Sequence, residues 1–214
     1  MVNLIPTKED WNKALSERHG EAVQKKFSSA TVAVCGLGGL GSNIAIALAR
    51  AGVGNLILID FDRVDITNLH RQQYKANQIG MNKADALSEN LKEIAPYIEL
   101  ETHTERVAEE NAAHLLQGAD IICEAFDDAE AKATLTNLVL ETMPDKYLVA
   151  ASGMAGFGSA NTIQTRRVAG KFYLCGDGAS DVETKGSLVS SRVMLCAAHQ
   201  AHTVLRILAG ELET

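Results

Sequence analysis

From Thr31 onward, short apolar runs alternate with longer amphipathic stretches. The runs TVAVC (31–35), NLILID (55–60), IELETHTE (98–105), ADIICEAF (119–126) and KYLVAAS (146–152) read as strands. Between them, apolar positions recur at helical spacing over Ser42–Ala51, Asn82–Ile94, Ala108–Leu116 and Ala129–Thr142. Strands that alternate with helices imply crossover connections and a mainly parallel sheet covered on both faces. The expected fold class is therefore α/β, a Rossmann-like doubly wound sheet.

The two ends of the chain read differently. Residues 1–29 are polar and helical in pattern, with Thr7 and Asp10 placed to cap a first helix and a second short helix after Gly20. After Ser152 the alternation stops, and the stretch from Met154 to Cys175 reads as a pair of antiparallel strands extending the sheet. GDGASDVETKGS (176–187) reads as a loop, followed by a helix from Leu188 to Ala209 that ends before Gly210. One domain over 1–214 is expected, divided into the N-terminal helical segment (1–29), a nucleotide-binding core (30–152) and the C-terminal strands, loop and helix (153–214).

Composition narrows the function classes. Twenty basic against twenty-seven acidic residues leave a formal charge of −7, which argues against a large nucleic-acid footprint. No stretch reaches the ~18 apolar residues of a membrane helix, and the first residues lack a signal-peptide core, so a cytoplasmic protein is expected. The four cysteines, Cys35, Cys123, Cys175 and Cys196, form no C-x-x-C pair, and neither a zinc ribbon nor a disulfide framework is indicated. His199 and His202 share a helix face without a third ligand nearby, and His70 adjoins the candidate nucleotide residues.

The chemistry is concentrated in four places. GLGGLGS (36–42) follows a strand and opens a helix: Gly36 permits the turn, Gly38 and Gly39 let the backbone approach a phosphate, and Gly41 allows close helix–strand packing. Asp60, nineteen residues after Gly41, ends the second strand where a carboxylate can accept from ribose hydroxyls, with Asp62 beside it. Up to this point NAD, FAD and ATP all fit. The segment Asp65–Tyr74 then supplies Asn68, Arg71 and Gln72, and Lys83 follows. Hydride transfer leaves that polar and cationic set idle, whereas cleavage between the α and β phosphates of ATP builds charge that fixed cations stabilise. Finally, Asp127 ends the fourth strand at the ligand-binding edge of the sheet and can hold Mg²⁺; Asp128 can do the same or start the next helix.

GLGGLGS, DFDRVDITNLHRQ, Lys83 and FDDAEAK in this order resemble the ThiF/MoeB/HesA family, bacterial relatives of ubiquitin-activating enzymes, over about residues 18–210. The short length and the start of the chain look most like the ThiF-like branch. The resemblance implies that Asp60 binds the ATP ribose, that Gly39 and its neighbours lie against the nucleotide, that Asn68, Arg71 and Lys83 contact phosphates, and that Asp127 places Mg²⁺. It also implies a homodimer, with Arg18 in SERHG entering the partner's site. The implied reaction is adenylylation of the C-terminal Gly-Gly carboxylate of a ubiquitin-like sulfur carrier, followed by thiocarboxylate formation from a sulfur donor, with thiamine synthesis the preferred pathway.

The chain also departs from the family's pattern. It lacks the two C-x-x-C pairs with which longer members hold zinc, so no zinc is expected. It has no cysteine within the loop before the last helix, where some relatives form a covalent link to the carrier; Cys175, at the start of that loop, is the single candidate. Three other readings stay open. One is an enzyme that activates a carboxylate on tRNA, like the threonylcarbamoyladenosine dehydratases. The others are a nucleotide-binding partner subunit without turnover, and an NAD-dependent oxidoreductase.

Overall fold

The computed structural model describes residues 5–213. Strands β1 (Thr31–Cys35), β2 (Asn55–Ile59), β3 (Glu99–His103), β4 (Ile121–Glu124) and β5 (Tyr147–Ala151) are joined through helices α3 (Gly39–Arg50), α4 (Lys83–Ile94), α5 (Glu109–Leu116) and α6 (Ala129–Thr142). Helices α1 (Lys8–His19) and α2 (Glu21–Ser29) precede them. Strands β6 (Gln164–Ala169) and β7 (Phe172–Gly176), the four-residue helix α7 (Val182–Lys185) and α8 (Ser190–Ala209) follow. The sheet order is β3-β2-β1-β4-β5-β7-β6.

The doubly wound expectation holds. The antiparallel extension is refined: β6 and β7 pair antiparallel with each other, but β7 runs parallel to β5, so β6 alone opposes the rest. The chain passes β5 to reach the edge with β6 and turns back with β7, and Arg166 and Arg167 on the outer strand leave it a poor template for further pairing.

Alternation of two faces along each strand separates two cores. Val32, Val34, Leu56, Leu58, Cys123 and Val149 pack with Ile44, Leu48, Leu87, Leu91 and Val204 from α3, α4 and α8. Ala33, Cys35, Ile57, Ile59 and Leu148 face the other way, onto Leu115, Leu116, Leu135 and Val139 from α5 and α6. The α1–α2 hairpin caps the far end of α3, where the Gln24 amide donates to the Gly52 carbonyl at 3.1 Å.

Two boundaries differ from the pattern reading. Helix α3 starts at Gly39 rather than Ser42, because its first turn needs close backbone approach more than it needs side chains. The stretch 176–187 contains α7, which Asp181 caps by accepting from the Glu183 N–H and which Gly186 ends at φ +82°.

Candidate active site

A cavity of about 360 Å³ opens at the carboxyl ends of the parallel strands, where the chain leaves β1 for α3 and β4 for α6. Gly36 leaves β1 at φ +87°, and a Cβ there would stand 2.9 Å from the Ala125 carbonyl oxygen. A Cβ on Gly41 would stand 1.8 Å from the Gly36 carbonyl oxygen, so the first turn of α3 lies directly on the loop that precedes it. Gly36, Gly38 and Gly39 line the cavity; Gly41 packs behind them. The first N–H groups of α3 have no intrahelical acceptor, and with the helix dipole they form an anion cradle.

Asp60 is buried, and burial pushes its carboxyl up. The Lys83 ammonium 3.9 Å away and the N–H groups of Leu37 (2.6 Å) and Asp62 (2.8 Å) pull the other way. The carboxylate thus ties the glycine loop to the end of β2 while lining the cavity. Lys83 opens α4, where a cation meets the positive end of the helix dipole. It is nonetheless buried and donates to Asp62 at 2.8 Å. A buried cation at the unfavourable helix end is a local cost that a ligand's negative charge would offset.

Arg71 lines the cavity with its stem against Gly39, and among the described residues it forms no ion pair; its nearest polar contact is a weak one to His70 at 3.4 Å. Gln72 is buried beside Gly38, with its side-chain oxygen unpartnered. Asp62 and Asp127 also line the cavity. Asp127 is exposed, whereas Asp128 spends one carboxylate oxygen capping α6 through the Ala131 N–H at 2.8 Å, which separates the two neighbours by role.

Asn68 and Arg18 do not line this cavity. Asn68 ends a 3-10 turn, Ile66–Asn68, with its amide 3.4 Å from the Thr67 hydroxyl. Arg18 lies exposed in the last turn of α1, in the hairpin whose Leu15 and Gln24 sit at the opposite end of α3, beside Gly52. A helix of 12 residues spans roughly 18 Å, so Arg18 is remote from its own subunit's glycine loop.

Several residues near the cavity escaped the sequence reading. Glu124, at the end of β4, is buried; both its oxygens accept from the Lys132 ammonium at 3.0 and 2.9 Å, and one also takes the Phe126 N–H at 2.7 Å. Burial raises the Glu124 carboxyl, against the pull of Lys132. Lys132 reaches on to the Ala151 carbonyl at 3.1 Å, joining the ends of β4 and β5 and fixing the turn that carries Asp127. On the other side, the Arg106 guanidinium stacks over Phe61 at 4.4 Å, both lining the cavity as a flat apolar and cationic surface.

The four thiols are fully buried. Burial raises all of them, Cys196 to about 12, and Cys175 sits between the Thr165 and Thr203 hydroxyls away from the cavity. Cys175 is therefore a core thiol with no access to a carrier.

The ThiF family model matches residues 12–214, nearly the whole chain. This chain belongs to the ThiF family. Among curated proteins, this ThiF-family chain is 31% identical over 153 residues to an adenylyltransferase and sulfurtransferase UBA4 of Lodderomyces elongisporus, covering 71% of this chain and 33% of that protein. To an adenylyltransferase and sulfurtransferase MOCS3 of Anopheles gambiae it is 33% identical over 153 residues, covering 71% of this chain and 34% of that protein. It therefore spans about a third of the length of these curated relatives.

Among solved structures, E. coli tRNA N6-threonylcarbamoyladenosine dehydratase, TcdA, in complex with ATP, superposes with a TM-score of 0.84 at 22% identity, over 97% of this chain and 98% of that one. E. coli MccB with ATP superposes at 0.69 and 21% identity, over 88% of this chain and 58% of that one. These likenesses show the shared fold. Among the described residues no helix is long and apolar enough to cross a membrane.

Proposed function

We propose that this chain is an ATP-dependent adenylyltransferase that activates the C-terminal Gly-Gly carboxylate of a small ubiquitin-like sulfur carrier. The observation that carries this reading is the convergence on one cavity of an α3 anion cradle, an Arg71 that forms no ion pair among the described residues, a buried Lys83 and an exposed Asp127. An oxidoreductase would leave the last three idle. The names of the curated relatives, adenylyltransferase and sulfurtransferase, support the same chemistry.

In the proposed reaction a carboxylate oxygen of the carrier bonds to the α-phosphorus of ATP, the bond from that phosphorus to the bridging oxygen breaks, and pyrophosphate leaves with the electron pair. The nucleophile is already an anion at neutral pH, so no general base is required. Positioning and charge stabilisation supply the rate. Asp60 would orient the ribose, Arg71 and Lys83 would meet the growing charge on the leaving group, and Gln72 would donate beside Gly38. Asn68 would join them only after its turn moves toward the nucleotide.

Mg²⁺ takes one or two carboxylates and completes its shell with phosphates and water. Asp127, with no group of three acidic, histidine or cysteine side chains around it among the described residues, fits that mode, and bound Mg²⁺ would neutralise phosphate charge. In a homodimer, Arg18 would complete the site of the other subunit, consistent with its distance from its own. The adenylate would pass to a sulfur donor, in the cytoplasm, toward thiamine.

A second reading is favoured by one observation: TcdA, whose name specifies a tRNA modification, covers both chains almost end to end. The carboxylate would then be carried by tRNA, with the formal charge of −7 opposing the encounter. ATP–pyrophosphate exchange with purified Gly-Gly carriers and with threonylcarbamoyladenosine-containing tRNA tests both. Exchange that depends on one carrier supports the first reading, and exchange that depends on the tRNA replaces it. Exchange with neither, despite ATP binding, would favour a non-catalytic role.

A further inference from the structure

We propose that Arg192 is a positioning residue for the acyl substrate: its buried guanidinium sets the wall of the cavity that faces the nucleotide. The assignment of that wall to the acyl substrate rests on the adenylyltransferase reading above.

The wall consists of residues 153–155, 180–182 and Leu188. Outside the four residues of α7, the backbone over 153–158 and 177–188 belongs to no strand or helix. Backbone bonds pair the two segments with each other, from the Asp177 N–H to the Gly153 carbonyl (2.9 Å), the Gly178 N–H to the Ser152 carbonyl (3.0 Å) and the Gly156 N–H to the Ser187 carbonyl (2.7 Å), but anchoring them to α8 falls to side chains. One side chain makes most of that anchorage. Arg192, in the first turn of α8, donates through Nη1 to the carbonyls of Gly158 (2.9 Å) and Ser159 (2.7 Å). Through Nη2 it donates to the Thr162 hydroxyl (3.1 Å) and to Asp177 Oδ2 (2.6 Å).

Asp177 carries the brace onward. Its Oδ1 accepts from the N–H groups of Ala179 (2.9 Å) and Ser180 (2.8 Å), and the Ser180 hydroxyl accepts from the Ala155 N–H (3.0 Å). Four bonds from one guanidinium thus tie both irregular segments to α8, in the fork geometry that arginine provides and lysine lacks. Burial would raise the Asp177 carboxyl, but these N–H groups, the Ser180 hydroxyl and Arg192 together bring it down to about 2.

Neither Arg192 nor Asp177 lines the cavity, so their effect reaches the substrate through the backbone they hold. The neighbouring Val193 does line it and packs against Gly39, so the brace is also registered to the phosphate cradle. The wall itself is narrow-sided. Gly153, at φ +82°, has no room for a Cβ, which would lie 2.1 Å from Asp177 Oδ1, and Ala155 and Ser180 follow. These small residues alternate with the larger Met154, Asp181, Val182 and Leu188, which also face the cavity.

The test uses the full chain with Asp177→Asn, Arg192→Lys and the milder Thr162→Val, which removes a single bond to a neutral acceptor and is expected to fold even if the others do not. Amide hydrogen exchange, ATP affinity by calorimetry, and ATP–pyrophosphate exchange with the best Gly-Gly carrier are measured. Asp177→Asn is expected to speed amide exchange over 153–162 and 177–188 by about tenfold or more, and to raise the carrier KM by a similar factor, since a charge-assisted bond is lost. ATP affinity should stay within about twofold in every variant, Arg192→Lys, which cannot keep the fork, should match or exceed Asp177→Asn in the other two readouts, and Thr162→Val should move those two the same way by about threefold.

Unchanged amide exchange overturns the brace. Loosened segments with equally weakened ATP binding assign the wall to the nucleotide and overturn the proposal, as does an unchanged carrier KM. If the unmodified protein shows no exchange with any carrier or with tRNA, the adenylyltransferase reading fails instead. The assignment to an acyl substrate then falls with it, and the other two measurements decide the brace alone, which they uphold if the segments loosen while ATP affinity holds.

Discussion

The two walls of the cavity are built by different means. On the nucleotide side, Gly36, Gly39, Asp60 and Asp127 stand at the ends of parallel strands or at the start of a helix, and the sheet's own hydrogen bonds place them. On the opposite side, residues 153–158 and 177–188 pair with each other through a few backbone bonds and are anchored to α8 by buried charged side chains. A wall made from secondary structure tolerates surface change but not backbone crowding. A wall held by side chains depends on a handful of polar bonds, each of which a single substitution removes.

Lys132 ties the end of β4, on the nucleotide side, to the end of β5, from which the other wall departs, and the largest effect is expected there. Lys132→Met leaves Glu124 buried without its cation, a loss of about 3–5 kcal/mol in stability, read by denaturant unfolding. A variant as stable as wild type would show that the walls do not share this tie. Arg71→Ala should leave the fold intact and lower pyrophosphate exchange by about 100- to 1000-fold, the cost of removing one preorganised donor to developing charge. A loss in ATP affinity alone, with turnover preserved, would move Arg71 from stabilising the transition state to plain binding.

Smaller effects sharpen the contrast. Gly41→Ala, which crowds the Gly36 carbonyl, should cost about 1–3 kcal/mol in unfolding free energy and weaken ATP binding, because the backbone of the regular wall cannot yield. Asp128→Ala should cost only about 1 kcal/mol, the loss of a helix cap, with exchange activity unchanged. A collapse of activity there would mean that Asp128, and not Asp127 alone, serves the metal.

Acid separates the walls by sign. The folded-state Asp177 carboxyl is depressed to about 2 from its ordinary 3.8, so its contribution is complete above about pH 4 and is lost as pH falls toward 2. Amide exchange over 177–188 should accelerate in that window while β1 and β4 remain protected. Simultaneous loss of protection would tie both walls to one cooperative unit.

What the sequence disclosed follows the same division. GLGGLGS, Asp60, Lys83 and Asp127 stand out because each lies at or beside a strand end or a helix start, where a few residues of local pattern define the position, and Arg71 stands out within the polar segment between them. Glu124 and Gln200 lie far apart in sequence, yet the Gln200 amide donates to the Glu124 and Val149 carbonyls at 3.0 and 3.1 Å. Phe61 meets Arg106 across β3, and Arg192 meets Gly158 and Asp177 from separate segments. Such pairs carry no periodicity and emerge only once topology brings them together. Asn68 was legible as a polar residue in the right segment, but the turn that carries it directs it elsewhere, and Arg18 needs a second copy for any role in the site.

The burial of all four cysteines gives the molecule a built-in gauge of its integrity. Cys35 and Cys123 lie on central strands, Cys175 on β7 and Cys196 on α8, each wholly inaccessible. A thiol-modifying reagent can reach the central pair only when the middle of the sheet opens, so the labelling rate at Cys35 and Cys123 reads global unfolding. Faster labelling at Cys175 or Cys196 would time the release of the outer, side-chain-braced half by itself.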